Sequence, residues 1–276
     1  MKKILFFNDW HNGDIHMSRE YVKDLINIFQ PSESHYFHVN NSNILFDLSN
    51  ITHTNVKNGD YDLIINTWIG QYWHVNNNFN GCNFPSYYNV MKELYTKLSI
   101  FDNLKGIENY IPSIDYTKFN LKSFNEDKLK NKKNVLFCNN FVNSRQSENF
   151  SFSEIINNLG EKFKDINFII TNYESGIIIK ENVFYTTDII TGFNNFDLNE
   201  ISYLSTKCDV IIGRSSGPYS FSIVKENILN SKKKFVCFTN VINDAWFLGD
   251  IVDLTWSNNY SHSSMINLII NVLEKI

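Results

Sequence analysis

The hydrophobic positions in the first half of the chain form short apolar runs separated by amphipathic stretches. Buried strands typically show such runs, and strands are predicted at residues 3–7, 35–39 and 61–66. Residues 15–29 place apolar side chains at helical spacing on one face, which predicts a helix. A second helix is predicted over residues 88–100. Residues 103–133 are polar without a long period, which indicates a linker.

The second half alternates more regularly between strand-like and helix-like segments. Its predicted strands are residues 134–139, 166–171, 183–187, 209–212, 234–239 and 251–256. Helices are predicted over residues 151–163, from 197, over 220–229 and over 262–276. Such alternation favours a parallel sheet with helices on both faces. We therefore predict an α/β fold with two Rossmann-like domains facing a central cleft. The domains would be residues 1–115 and 134–276, with 116–133 as the linker.

A strand, a glycine-containing turn and a helix start occur once in each half. The first turn is Asn8-Asp9-Trp10-His11-Asn12-Gly13-Asp14, and the second is Gly213-Arg214-Ser215-Ser216-Gly217-Pro218. Turns of this kind place backbone N–H groups at the carboxyl edge of a sheet, where open α/β folds bind phosphates and nucleotides. Two such edges predict a ligand site between the halves.

The first turn carries a candidate general base. Asp14 directly precedes the first predicted helix, where a carboxylate can deprotonate an acceptor hydroxyl or simply serve as a helix N-cap. His11 and His16 flank the turn as candidate acceptor contacts or surface residues. Arg19, one turn further, is either a contact for an anionic group or an exposed helix charge.

The second turn suits a diphosphate. Arg214, Ser215 and Ser216 supply donors, Gly217 permits close backbone approach, and Pro218 fits a first helical turn. Ordinary capping of a strand-to-helix turn remains the alternative.

The same segment, Gly213–Gly217, also spells the G-x-S-x-G nucleophile elbow of serine hydrolases. Ser215 would be the nucleophile in that case. The residues that follow in the required chain order are Asp244, Asp250 or Asp253, and then His262.

Two further polar segments follow predicted strands of the second half. Asn139, Ser144, Arg145 and Gln146 lie in one loop and are candidates for phosphate or sugar contacts, with a solvated loop as the alternative. Asp188 ends another strand, where loops of this architecture approach a base or ribose.

Composition narrows the function classes. The 276 residues have a net charge of −4, which does not favour a general nucleic-acid binder. A local basic patch remains an alternative. The four cysteines lack C-x-x-C spacing and the first apolar run is too short for a signal or membrane segment, so a cytoplasmic location is expected. The sequence offers no convincing metal site, no G-x-G-x-x-G and no P-loop.

The two turns resemble those of glycosyltransferases with the GT-B fold, most closely the ADP-heptose heptosyltransferase-like group. Gly13-Asp14-Ile15-His16 matches the Gly-Asp pair that precedes a helix in that family, and the turn at 213–218 is similar to its donor-site turn. The family's acidic residue and histidine in the second turn fall on Ser215 and Ser220.

The resemblance implies a metal-independent, inverting transfer of a sugar from a nucleotide-sugar to a glycan or glycolipid hydroxyl. Asp14 would be the base. Gly13, His11, His16 and Arg19 would line the acceptor side, and the second domain would hold the donor. No cofactor is expected beyond this donor substrate, and contact with a lipid-linked glycan would be peripheral. The rivals are a phage-type DNA-base glycosyltransferase, a serine hydrolase and a non-catalytic glycan- or nucleotide-binding protein.

Overall fold

The structure, a computed structural model, describes residues 3–38, 42–72, 83–119, 121, 124–191, 196–245 and 252–276. Ten strands in this part form two parallel sheets. The first sheet has the order β3-β2-β1-β4. Its strands are β1 (Lys3–Asn8), β2 (Glu33–His38), β3 (Thr52–Thr54) and β4 (Leu63–Asn66).

The second sheet has the order β10-β9-β8-β5-β6-β7. Its strands are β5 (Lys133–Cys138), β6 (Ile166–Ile170), β7 (Val183–Tyr185), β8 (Val210–Arg214), β9 (Lys234–Phe238) and β10 (Asp253–Ser257). Counted from β5, this is the order of a dinucleotide-binding sheet, with the switch point between β5 and β8. The predicted fold class is confirmed.

Helices cover these sheets. They are α1 (Asn12–Phe29), α2 (Phe84–Lys97), α3 (Ser153–Lys162), α4 (Leu198–Thr206), α5 (Gly217–Phe221), α6 (Lys225–Ile228) and α7 (His262–Leu273). Helices α3 and α7 pack on one face of the second sheet, with a core of their own. A larger buried cluster runs without a break from the first sheet to the inner face of the second. The two sheets therefore share a packed interface beside any cleft.

The helix predicted over residues 220–229 is wrong in one respect, because it is split into α5 and α6. The Ile223 carbonyl in the break accepts a hydrogen bond from His16 Nε2 at 3.1 Å. The Lys225 N–H donates to the Pro112 carbonyl at 2.9 Å. Both bonds reach back into the first half of the chain, so contacts across the interface replace helical hydrogen bonds.

The segment predicted to contain the linker begins with residues that pack on the first half. The Tyr110 ring stacks on Tyr21 with centroids 4.0 Å apart, and its hydroxyl donates to the buried Asp24 carboxylate at 2.9 Å. Ile111, the next residue, is also buried in the core cluster that includes the first sheet. The domain boundaries themselves stay a prediction.

A buried ion pair of the first half lies where that half contacts the second. Arg19 on α1 is fully buried, and its guanidinium donates to Asp47 and to the Ile44 carbonyl. The same guanidinium reaches Asn199 Oδ1 on α4 at 3.4 Å. Asn199 in turn donates to the Asn43 and Ile44 carbonyls. One charged group thus connects α1, the segment before β3 and a helix of the second half.

None of the helices in the described ranges is both long and apolar enough to cross a membrane.

The Arg19–Asp47 pair generates a stability prediction. Asp47→Asn keeps the side-chain volume but leaves a buried guanidinium without its counter-charge. We expect the free energy of unfolding to fall by about 3–5 kcal/mol in denaturant titration. The matched control is Asp127→Asn, which breaks an exposed pair with Lys130 and should leave stability nearly unchanged. Equal effects of the two substitutions would contradict the importance of the buried pair.

Candidate active site

The structure brings the two glycine-containing turns together. A Cβ atom on Gly13 would lie 3.3 Å from both Cβ and Oγ of Ser220, so α1 and α5 approach each other closely at this point. Gly13 follows β1 and Ser220 follows β8, and both strands are central in their sheets. The first turns of two helices therefore meet at the carboxyl edges of both sheets.

Asp14 lies in the first turn of α1 and is not its N-cap. His11 holds the cap position, and its carbonyl accepts the N–H groups of Asp14 and Ile15. The Asp14 side chain is only 8% exposed, and within the described part of the chain no other residue donates a hydrogen bond to its carboxylate. Burial raises the pKa of Asp14 from 3.8 to about 7, partly opposed by its own backbone N–H. A carboxylate in this state suits general-base chemistry at neutral pH.

Two tyrosines place Asp14 relative to the first sheet. The Asp14 charge contributes to the raised pKa values of Tyr36 and Tyr87, although burial is the larger cause for both. Tyr36 shares a 2.8 Å hydrogen bond with the Thr67 hydroxyl, and the Tyr87 hydroxyl donates to the Thr67 carbonyl. Asp14 thus lies near the end of β4, at the switch point of the first sheet.

His16 and Arg19 do not line an acceptor site, contrary to the prediction. The His16 ring is fully buried and stacks on Phe221 at 4.3 Å. Because its Nε2 donates to a carbonyl, Nδ1 is the unprotonated nitrogen of the neutral ring. Burial, reinforced by Arg19, lowers the pKa of His16 well below its usual value. Both side chains point into the interface between the halves. His11 is exposed at the mouth of the turn and stays a candidate acceptor contact.

Arg214 also turns inward, so its predicted contact with a diphosphate needs correction. Its guanidinium donates to four backbone carbonyls, those of Asn139, Asn140, Glu148 and Phe150. The side chain is 1% exposed, and burial among aromatic rings lowers its pKa to about 10. Arg214 therefore fixes the loop after β5.

The remaining residues of the second turn keep unused polar atoms. The hydroxyls of Ser215 and Ser216 are buried and have no hydrogen-bond partner among the described residues. Pro218 lies in the first turn of α5, as predicted. A Cβ atom on Gly217 would meet only Leu198, at 3.7 Å, so protein contacts do not require glycine there. Because α5 has five residues, it supplies few aligned peptide dipoles.

The loop after β5 is divided between structural and exposed side chains. The Asn139 amide bonds to Asn172 and Glu174, so it orders the sheet edge and does not reach toward a ligand. Ser144 donates to Gln146 at 2.8 Å. Arg145 is exposed, and its backbone has a left-handed φ of 60°. The Asn240 amide donates to its carbonyl, which ties Arg145 to the carboxyl end of β9.

Asp188 has a local structural role. Its carboxylate accepts the Tyr185 N–H at 2.9 Å, just after the edge strand β7. Strands β6 and β5 separate β7 from the switch point beside β8. A contact between Asp188 and a donor ribose stays a prediction.

The structure does not assemble the residues of the serine-hydrolase alternative. His262 Nδ1 pairs with Glu154 at 2.5 Å, whereas the Ser215 hydroxyl has no partner in the described ranges. Asp253 begins β10 and pairs with Lys234 at the amino edge of the sheet. Asp250 lies outside the described residues. Since Ser215 lacks a hydrogen-bonded base, this alternative is not supported.

In the sequence, Asp197-Leu198-Asn199-Glu200 has the spacing of a helix-capping box. In the structure Asp197 is the N-cap of α4 without a side-chain capping bond. Glu200 is 2% exposed, and its Oε2 has no partner within the described residues. Burial raises its pKa. The Asp-x-x-Glu spacing could equally have indicated two carboxyls on one helical turn next to α5.

The part of the chain that the structure describes contains no group of three or more His, Cys, Asp or Glu side chains arranged to hold a metal ion.

The fold matches solved glycosyltransferase structures over its whole length. A family 9 glycosyl transferase from Veillonella parvula gives a TM-score of 0.56 at 12% identity, covering 100% of this chain and 98% of that chain. Escherichia coli heptosyltransferase WaaC with ADP gives 0.57 at 8% identity, covering 99% of each chain. The iron-containing dodecameric glycosyltransferase TibC from enterotoxigenic E. coli gives 0.58 at 10%, covering 99% of this chain and 76% of that chain.

No known protein-family model matches this chain, and no curated protein sequence matches it. At identities of 8–12%, the structural matches show the fold alone. The chain has the two-domain GT-B fold, and the resemblance stated from its two turns is confirmed at that level.

The buried Asp14 carboxyl generates a prediction about pH and stability. Between pH 3.8 and about 7, the native state holds a proton that the unfolded chain has released, so the free energy of unfolding falls as pH rises. Asp14→Asn removes this loss. It should be more stable than the natural protein at pH 8, by roughly 4 kcal/mol at most, and similar to it at pH 4.

Denaturant titrations at the two pH values measure this difference. Asp60→Asn, at an exposed aspartate of the same half, is the control and should match the natural protein at both pH values. An Asp14→Asn protein without extra stability at pH 8 would mean that Asp14 ionises normally.

Proposed function

We propose that this protein is a glycosyltransferase that moves a sugar from a nucleotide-sugar to a hydroxyl of a glycan or glycolipid. The buried Asp14, with its pKa near 7, carries the proposal, because it lies where the carboxyl edges of two Rossmann-like sheets meet. Ligands of open α/β sheets bind at such edges. The GT-B fold of the solved relatives supports the same reaction class.

The first half would bind the acceptor and the second half the donor. The donor nucleotide would lie over the switch point between β5 and β8. The Ser215 and Ser216 hydroxyls and the exposed Arg145 would contact its phosphates. Arg145 replaces Arg214 in this role, because the Arg214 donors are engaged with backbone carbonyls. Arg214 would act indirectly, by holding the loop that carries Arg145.

The proposed reaction is an in-line displacement with inversion. Asp14 takes the proton of the acceptor hydroxyl as its oxygen attacks the anomeric carbon. The bond between that carbon and the diphosphate breaks, and the nucleoside diphosphate leaves with the electron pair. Donors near the Ser215–Ser216 turn would stabilise the departing charge. No metal ion or separate cofactor takes part in the proposed steps, and a chelator tests that point directly.

Binding of the donor is tested by calorimetry with UDP, GDP, ADP, CDP and CMP in the presence of EDTA. We expect one nucleoside diphosphate to bind. Arg145→Gln should weaken it by about 1.5–3 kcal/mol, the scale of a hydrogen bond to a charged group. Lys232→Gln removes the same charge at the opposite edge of the second sheet and is the matched control. Loss of binding with EDTA would show that a metal ion holds the phosphates.

Catalysis by Asp14 is tested with the donor that this panel identifies. Transfer should rise with pH through an apparent pKa of about 7, because the ionised form is the base. Asp14→Asn should lower the rate by about 100-fold or more and abolish that dependence, with nucleotide binding intact. A non-catalytic binding protein would bind the nucleotide without any turnover in either form. Near-normal turnover of Asp14→Asn would show that Asp14 is not the general base.

A further inference from the structure

Two matching turns follow the central strands of the first sheet. After β1, the backbone N–H of Trp10 donates to Asn8 Oδ1 at 2.9 Å. After β4, the backbone N–H of Trp68 donates to Asn66 Oδ1 at 3.0 Å. Each strand thus ends in Asn-x-Trp, with the asparagine side chain closing the turn. Since β1 and β4 are neighbours, the two indole rings leave the sheet edge side by side.

The indoles form an exposed stacked pair. Their centroids are 4.8 Å apart with an interplanar angle of 26°, and Trp10 is 51% exposed. A Cβ atom on Gly70 would lie 2.2 Å from the Trp68 ring, so the glycine leaves the space that this ring occupies. The stacked pair, Trp10 and Trp68, therefore packs against Gly70 on the Trp68 side and is exposed on the Trp10 side.

Among the described residues, the basic groups considered for the stacked pair are matched by carboxylates. Asp9, next to Trp10, pairs with Lys57 at 2.5 Å, and the Lys57 ammonium also lies 3.9 Å from the centre of the Phe7 ring. Arg19, the other candidate cation, is buried against Asp47. A phosphate-rich or carboxylate-rich ligand would require unpaired basic groups at this edge.

The turn that carries Trp10 also holds two side-chain polar atoms without a partner among the described residues. Asn8 Nδ2 and Asn12 Oδ1 are buried and have no hydrogen-bond partner in the part of the chain that is described. Asn8 is fully buried at the end of β1, and Asn12 begins α1. Trp10 lies between these two asparagines in sequence, and Asp14 is two residues after Asn12. One turn therefore combines a flat apolar face, a donor, an acceptor and a base.

We propose that the stacked pair is a saccharide subsite that holds an uncharged pyranose ring of the acceptor. The C–H face of a pyranose is apolar and carries slight positive charge, which suits the negative face of an indole. Its hydroxyls suit Asn8 and Asn12. The assignment as acceptor rests on the proposed function, whereas binding of the sugar by Trp10 does not.

Ligand-observed NMR titration tests the subsite with the full chain. The probes are the methyl β-glycosides of glucose, galactose and N-acetylglucosamine, with methyl glucuronide as an anionic comparator and oligothymidylate as a nucleic-acid comparator. We expect a neutral glycoside to bind more tightly than both comparators. Trp10→Leu should weaken that binding at least about fivefold, whereas Trp10→Phe, which keeps a flat ring, should retain most of it.

Phe101→Leu is the matched control, because Phe101 is an exposed aromatic residue of the same half that follows the far end of α2. It should leave saccharide binding unchanged, and all three variants should bind the nucleoside diphosphate normally. The subsite is disproved if no neutral glycoside binds, if Trp10→Leu binds as well as the natural protein, or if the anionic or oligonucleotide probe binds more tightly. Trp10-dependent sugar binding without turnover would instead retain the subsite and reject the transferase.

Discussion

The buried guanidinium of Arg19 is the constraint on which the arrangement of the two halves depends. It is paired with Asp47 in the first half and contacts Asn199 in the second. A buried charge is costly unless its partners are in place, so loss of the Asp47 counter-charge would carry a large penalty, and the Asn199 contact adds a hydrogen bond across the interface. Arg19 lies on the same helix as Asp14, little more than one turn further along. The contact that joins the halves therefore also fixes the start of α1 against the second sheet.

A second set of contacts works through interrupted helical structure. The helical structure is interrupted between α5 and α6. There the Ile223 carbonyl accepts a hydrogen bond from His16, and the Lys225 N–H donates to the Pro112 carbonyl. Since a neutral His16 donates one hydrogen bond, its buried ring serves the interface without a charge. The short α5 then presents Ser220 directly to Gly13. The two turns can approach closely because Gly13 has no side chain and because α5 ends at Phe221, directly after Ser220.

The sequence predicted what local patterns determine. Strands β5, β6, β8 and β9 are mostly apolar and almost wholly buried, and their predicted bounds lie within two residues of the observed ones. The three-residue strand β3, Thr-His-Thr, was missed because a short polar strand has no apolar period. The break after α5 was missed because its partners lie more than 100 residues away in sequence.

Candidate site residues followed the same division. Asp14 was predicted from its place before a helix, and the structure adds the burial that shifts its pKa. Arg19 and Arg214 were predicted as ligand contacts, but both guanidinium groups are buried against partners distant in sequence. A sequence shows that a charge is present without showing which way it points. The Asn-x-Trp repeat was visible in the sequence, but its meaning required knowing that β1 and β4 are neighbours.

The state of Asp14 follows from the same packing. A carboxyl with its ordinary pKa would be fully ionised at neutral pH but would be a weak base toward a hydroxyl. Burial beside Tyr36 and Tyr87 strengthens the base and makes ionisation costly to the folded state. That cost is tolerable only where the surrounding structure is held firmly, as α1 is held by Arg19. The interface between the halves thus provides the stability that a desolvated carboxylate requires, while the exposed side of the turn stays open to a ligand.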